Sequence, residues 1–275
     1  MVIDNTSDKH LEQEIQDTQI VIIAGGRAKR LGLDIPKCLL DIGENEKLID
    51  KCITALRKEG FWNFIFLLGH RSDEVAQYIG DGSKHGIKVT YSIDPPSASG
   101  WGKGKAFRYA LISGKIESSK RSLVVFPDDV IVDDGIFSRF LSHHIEHMLK
   151  NNTAGSMILV PGTEYAYGVA EIADTGLVTR FKEKPIVAMP TSVGVYAFEP
   201  GVYSIIHDKI NMDDPGPVDL ESTILPILVD GLKLSSLTIP TEKWLPINTL
   251  KEYEHAIEIL SVARSRKNGT ERPNE

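Results

Sequence analysis

Apolar residues in this chain come in short unbroken runs, separated by segments with helical spacing. Residues 20–24 form the first run, β-branched and stopped by Gly25-Gly26, which predicts a buried strand. Runs at 64–68, 89–93, 123–126 and 157–160 predict further strands. Between them, Ile49, Ile53 and Leu56 repeat at helical spacing within 48–59, and helices are expected at 72–78, 106–112 and 136–149. Past residue 160 the texture changes: strand-like segments at 167–172, 177–181 and 192–198 follow one another with little helix between. Residues 219–229 return to a helical pattern with Asp219 as N-cap. A strand at 234–239 and a loop at 244–248 follow. Thr249 and Glu252 then have the spacing of a capping box that opens a C-terminal helix. The polar stretch from 264 onward is expected to fray.

Strands that read as continuous apolar runs and alternate with helices imply an α/β fold. The expected architecture is a Rossmann-like, mostly parallel mixed sheet with helices on both faces and a small mixed or antiparallel extension. Such sheets bind ligands beyond the carboxyl ends of their strands, so the loops at 25–37 and 127–129 should share one edge. One domain is expected over 19–263, divided near 160. A polar N-terminal extension, 1–18, reads as disordered or a marginal helix, and a polar tail covers 264–275.

Composition narrows the function. The chain has 275 residues, 41% hydrophobic and 25% charged, so a sizeable core needs no staples. A net charge of −7 argues against a dedicated nucleic-acid binder, and an anionic ligand would need a local basic site. Cys38 and Cys52 lack metal spacing and read as buried free thiols in a reducing compartment, the cytoplasm. No apolar run is long enough to span a membrane, and residues 1–18 contain no apolar signal core.

The candidate chemistry begins at Gly25-Gly26. Glycines let a backbone approach a phosphate closely, and Arg30 and Lys37 could neutralise its charge. The loop is neither a dinucleotide fingerprint nor a Walker A loop, where Ser99 and Ala106 break the pattern around Gly104-Lys105. Asp128, at the end of a strand in Pro127-Asp128-Asp129, could hold Mg²⁺. Glu183-Lys184-Pro185 could meet sugar hydroxyls and a phosphate. Taken singly, the glycine pair reads better as an ordinary turn and Glu183-Lys184-Pro185 as a solvated turn, while the aspartates read equally as a cap of the following segment. His143 and His147 share helical spacing compatible with a metal, but no further ligand frame accompanies them. Together with His144 they read as a solvated helix face.

The order of these segments resembles the sugar-nucleotide pyrophosphorylases, a family of nucleoside-triphosphate transferases. Ala24-Gly25-Gly26-Arg27-Ala28-Lys29-Arg30-Leu31 followed by Ile35-Pro36-Lys37 is similar to its first signature. The spacing from Arg30 to Lys37 is most like the N-acetylglucosamine-1-phosphate uridylyltransferase branch. Gly102-Lys103-Gly104-Lys105-Ala106 approximates the second signature, and Asp128 stands where the family has a metal aspartate. Tyr167-Gly168-Val169, Glu183-Lys184-Pro185 and Val193-Gly194-Val195-Tyr196 match the order of the sugar pocket. Trp244-Leu245-Pro246-Ile247-Asn248-Thr249 matches the last metal-bearing loop. Asp94 stands near where uridylyl and thymidylyl enzymes carry a base-contacting Gln, Lys29 where many members have a small hydroxyl residue, and Pro246 where many have Asp.

The resemblance implies a nucleotidyltransferase that joins a nucleoside triphosphate to a glucose-1-phosphate-like sugar 1-phosphate, releasing pyrophosphate. UTP or dTTP is the favoured triphosphate. Arg30 and Lys37 would be catalytic, and Ala24, Gly25, Gly26, Arg30, Asp94 and Gly102 would bind the nucleotide. Gly168, Glu183, Lys184 and Gly194 would bind the sugar phosphate, while Asp128 and Asn248 would hold Mg²⁺. The division near 160 would then separate a nucleotide-binding part, 19–160, from a sugar-binding part, 161–263. No nucleic-acid or membrane partner is implied, a homo-oligomer is left open, and no hexapeptide-repeat domain with a second activity is expected. The alternatives are a cytidylyl- or guanylyltransferase with a non-sugar acceptor and a non-catalytic homologue that binds a nucleotide-sugar.

Overall fold

The computed structural model describes residues 5–98 and 100–267, so residues 1–4, Ser99 and the end of the polar tail lie outside the described residues. Helix α1 (Asn5–Asp17) leads into β1 (Gln19–Ile23). Helix α2 (Leu48–Lys58) then crosses to β2 (Asn63–Leu68), α3 (Ser72–Ile79) to β3 (Lys88–Ile93), and α4 (Lys103–Ile112) to β4 (Ser122–Val125). These four strands are parallel, with Ile20 opposite both Phe64 and Leu123. Ile20, Val21 and Ile22 are fully buried, which explains why β1 is an unbroken apolar run. Alternate residues feed two cores. Ile20 and Ile22 join α2, α3 and a later helix on one face, and Val21 joins α4 on the other. Each such side chain contributes roughly 2 kcal/mol of burial.

Strand β5 (Asp129–Ile131), helix α5 (Ile136–Asn151) and β6 (Gly155–Val160) follow. The short strands β7 (Thr163–Glu164), β8 (Val169–Ile172), β9 (Val178–Lys182) and β10 (Ile186–Val187) precede the long β11 (Thr191–Phe198). The chain then forms α6 (Pro200–Lys209), α7 (Leu220–Thr223), α8 (Leu225–Asp230), β12 (Leu234–Thr238), β13 (Trp244–Pro246) and α9 (Leu250–Lys267). The main sheet has seven strands in the order β12-β6-β11-β4-β1-β2-β3, and only β11 runs against its neighbours. The pairs β7–β10 and β8–β9 form small ribbons outside it, and β13 pairs antiparallel with β5. The mostly parallel Rossmann-like sheet with a small antiparallel extension is therefore as expected.

Several local expectations change. The helix expected at 219–229 is two, broken at Ile224, because Pro226 at the second start has no N–H to continue the first. Asp219 stands at an N-cap position, but its Oδ1 accepts the Lys103 N–H at the start of α4 instead (3.0 Å). The expected loop at 244–248 begins as strand β13, because β5 supplies a ladder partner. Helix α6 at 200–209 was not anticipated, although Val202, Tyr203 and Ile206 share one buried face. The expected fraying from 264 is replaced, as far as Lys267, by the last turn of α9. There Arg264 donates to the Ile42 carbonyl (2.8 Å) and pairs with Glu46.

Helix α1 is docked rather than loose. Ile15 and Leu11 reach the main core, and Trp62 Nε1 donates to the Gln16 carbonyl (3.1 Å). Arg121 binds Glu14 on α1 (2.6 Å) and Glu199 before α6. Glu199 also meets His144 Nε2 (2.9 Å), whose Nδ1 lies 2.7 Å from Ser156 Oγ. His144 is thus fully buried, not part of a solvated helix face, and burial pushes its pKa down against the pull of Glu199. Among the described residues no helix is long and apolar enough to cross a membrane.

Candidate functional site

The turn after β1 is built on close approach. A Cβ on Gly25 would lie 3.0 Å from the Gly69 nitrogen, so neither β1 nor β2 carries a side chain at this end. Nothing lies within 4 Å of where a Gly26 Cβ would be. The loop then doubles back: Arg27 bridges to Pro36, and the Ala28 N–H donates to the Ile35 carbonyl (3.2 Å). Ala28 is fully buried and Leu31 nearly so, which turns Arg27, Lys29 and Arg30 out to solvent. Gly32, at φ +74°, closes the short turn at 29–31 in the left-handed region. Among the described residues Arg30 has no hydrogen bond or ion pair. The bulky, basic 27–30 segment is therefore carried by one small inward residue, and its cations are free for a ligand.

Lys37 is the centre of the site. The Gly26 carbonyl accepts its backbone N–H (3.1 Å). Its Nζ lies 2.5 Å from Asp128 Oδ2 and 3.0 Å from Asn248 Oδ1. The structure thus brings together three residues singled out in the sequence. The ladder of β5 and β13 sets the last two, since the Ile247 N–H donates to the Asp128 carbonyl (2.9 Å). Asn248 is fixed from the other side: Glu252 Oε2 accepts the N–H groups of Asn248 (2.9 Å) and Thr249 (2.8 Å). Thr249 Oγ1 accepts the Glu252 N–H (3.3 Å), which completes the expected capping box.

Asp129 plays a part that the sequence did not assign. Its Oδ1 accepts Trp244 Nε1–H (2.9 Å), which ties β5 to β13. Burial, reinforced by the Asp128 charge, pushes its pKa to about 7. Gly194, at φ +67°, leaves room for this carboxylate: a Cβ there would collide with Asp129 Oδ2 and lie 2.8 Å from the Phe126 ring. The only signals in the sequence were the doubled Asp after an apolar strand and the Trp before Asn248.

The other candidates are spread around this centre. Asp94 continues the β2–β3 pairing, its N–H donating to the Leu68 carbonyl (2.9 Å). Its Oδ2 lies 3.1 Å from the Cβ position of Gly69, beside Gly25. Burial pushes its pKa to about 6. Ala24 is buried where β1 ends, its N–H held by the Leu67 carbonyl (3.0 Å). Gly102 packs tightly on the Val218 backbone, which also accepts the Gly104 N–H (2.8 Å). Gly168 sits against Phe181 and Glu183, so those two predicted sugar residues are together, and Lys184 follows at φ +44°. Among the described residues no hydrogen bond or ion pair joins Glu183 or Lys184 to the Lys37 group. Their ribbon is open, with Tyr167, Ile172, Leu177 and Phe181 exposed. A groove of about 800 Å³ opens beside Asn248, bordered by Thr163, Glu164, Trp244 and His255.

The donor set fits a hard divalent cation. A carboxylate and an amide oxygen converge on one point that already holds a positive charge. Among the described residues no group of three or more His, Cys, Asp or Glu is arranged to hold a metal ion. Two oxygen ligands suit an ion such as Mg²⁺, which keeps much of its water.

The profile of the nucleotidyl transferase family matches residues 19–261, and the chain belongs to that family. It is 26% identical over 249 residues to a UTP–glucose-1-phosphate uridylyltransferase of Synechocystis, covering 86% of this chain and 62% of that one. It is 25% identical over 239 residues to a mannose-1-phosphate guanyltransferase of Saccharomyces cerevisiae, covering 85% and 62%. The chain therefore spans about three-fifths of the length of these curated relatives. Among solved structures, the fold is shared with HddC from Yersinia pseudotuberculosis complexed with GMP-PN (TM-score 0.60, 21% identity, 88% of this chain and 99% of that one). It is also shared with a chain from Bacillus anthracis described as a glucose-1-phosphate thymidylyltransferase (TM-score 0.66, 19% identity, 88% and 94%).

Proposed function

We propose that the chain transfers a nucleotidyl group from a nucleoside triphosphate to a sugar 1-phosphate and releases pyrophosphate. The observation that carries this reading is the meeting of Lys37, Asp128 and Asn248 at the strand ends, next to the bare Gly25-Gly26 turn. Relatives that act on UTP with glucose 1-phosphate and on mannose 1-phosphate agree on the acceptor class and differ in the base.

A phosphate oxygen of the sugar phosphate attacks the α-phosphorus in line, a new P–O bond forms, and pyrophosphate leaves with the electrons of the broken bond. The attacking oxygen is already ionised, so no general base is needed. The barrier comes from bringing two polyanions together, and the protein's part is positioning and charge stabilisation. The Gly25-Gly26 backbone gives the nucleotide close approach. Arg30, exposed and without a partner among the described residues, takes the β- and γ-phosphates and steadies the leaving pyrophosphate. Lys37 exchanges its two side-chain partners for phosphate oxygens of both substrates. Asp128 and Asn248 would hold Mg²⁺, which supplies charge neutralisation and orientation of phosphate oxygens. The acceptor lies in the region of the groove beside Asn248, with Glu183 and Lys184 as its contacts on the ribbon. Cytoplasmic residence fits the two free thiols, and burial holds Cys38 in its unreactive protonated form, its pKa pushed up to about 12.

The test is pyrophosphate release from a panel of nucleoside triphosphates and sugar 1-phosphates with Mg²⁺. Release that requires both substrates is expected, and no release from any pair would refute the reading.

A further inference from the structure

Among the described residues, Asp94 is an acid with no partner. Its carboxylate has no hydrogen bond and no ion pair there, although it is half-buried at the end of β3. Burial alone accounts for its raised pKa, so no neighbouring cation compensates it. It stands beside Gly69 and Gly25, two positions kept free of side chains where β1 and β2 end. A half-buried carboxylate without donors is unfavourable unless a ligand brings them.

The geometry points to guanine as the base this chain selects, with the two Asp94 oxygens accepting the adjacent N1–H and 2-amino N–H of the ring. The inference rests on the nucleotidyl-transfer reading and names its donor as GTP. An ionised carboxylate offers two acceptors and no donor. Of the common bases, guanine alone presents two neighbouring donors on one edge. Uracil and thymine offer one N–H flanked by two carbonyl oxygens, so the second carboxylate oxygen would face like charge. Cytosine and adenine pair one amino group with a ring lone pair, which a carboxylate also repels. The uracil or thymine preference implied by the resemblance goes with a Gln near this position, where this chain has Asp94. A side chain there with both a donor and an acceptor would suit uracil, and Asp94 has only acceptors.

Calorimetric titration of the full chain with GTP, dGTP, ITP and UTP, each with Mg²⁺, tests the inference. GTP should bind most tightly. ITP keeps N1–H but lacks the 2-amino group, and should bind about tenfold or more weakly. UTP should bind about a hundredfold more weakly. dGTP should match GTP, because the contact is to the base. Asp94→Asn should remove the advantage of GTP over ITP and favour XTP, whose 2-carbonyl accepts from the new amide. UTP binding as well as GTP, or ITP equal to GTP in the wild-type chain, would overturn the guanine assignment and leave nucleotidyl transfer standing. No binding of any triphosphate would overturn both.

Discussion

Replacing Lys37 with Ala separates catalysis from folding. In the wild-type chain its Nζ donates to Asp128 (2.5 Å) and Asn248 (3.0 Å), with the Lys37 side chain 15% exposed and that of Asp128 29% exposed. Water can reach Asp128 once the ammonium is gone, so the lost pair should cost only about 1 kcal/mol of stability. The same ammonium facing transferring phosphates is worth far more. Removing one preorganised donor from such a site costs about 2.7–4 kcal/mol, or roughly a hundred- to a thousandfold in kcat. Initial rates of pyrophosphate release at saturating substrates, beside urea unfolding of the same preparation, measure both quantities. Lys37→Arg should recover little, because a planar fork cannot place one donor between two oxygens as an ammonium does. Turnover of Lys37→Ala within a few-fold of wild type, with the fold intact, would refute the role given to Lys37. So would a rate loss no greater than the loss of folded protein.

Other consequences can be checked directly. Because the folded pKa of Asp94 is raised to about 6, the folded chain holds this proton more tightly than the unfolded chain. Stability from this group therefore falls as pH rises from about 4 to 6 and stays low above. Asp94→Asn should stabilise the chain by about 1 kcal/mol at pH 8, after discounting for solvent exposure, and by nothing near pH 4, as read from denaturant midpoints. Arg121→Ala leaves Glu199 and Glu14 without their shared partner and should cost about 3 kcal/mol, with faster amide exchange along α1 than elsewhere. Gly194→Ala forces a Cβ onto Asp129 and Phe126 at a positive φ. It should cost about 2–4 kcal/mol and lower kcat through the displaced β5, with unfolding and turnover measured together.

The parallel core was legible because strands buried on both faces leave an unbroken apolar signature, as in Ile20 to Ile23. The capping box at Thr249 and Glu252 was legible because it is purely local. The Lys37, Asp128 and Asn248 group was recoverable only through the order of motifs, since nothing local to Asn248 marks it. What stayed hidden depends on partners distant in sequence. Strand β13 exists because β5 is there to pair with it. Asp219 caps α4, not the helix that follows it. His144 looks like its neighbours His143 and His147 until Ser156 and Glu199 enclose it. Helix α1 is mostly polar, and its docking depends on Arg121, more than a hundred positions away.

The polar centre at Lys37 is drawn from points 91 and 211 residues apart along the chain. That separation sets an order of assembly. Strands β1 and β2, with the glycine turn between them, can form early from nearby sequence. The oxygen of Asn248 is placed only when β13 closes on β5, a contact of high sequence separation that favours a late step. During synthesis, a chain released as far as β12 could carry the proposed nucleotide cradle without the residues proposed to turn a substrate over. Competence would then appear abruptly, with the last helix.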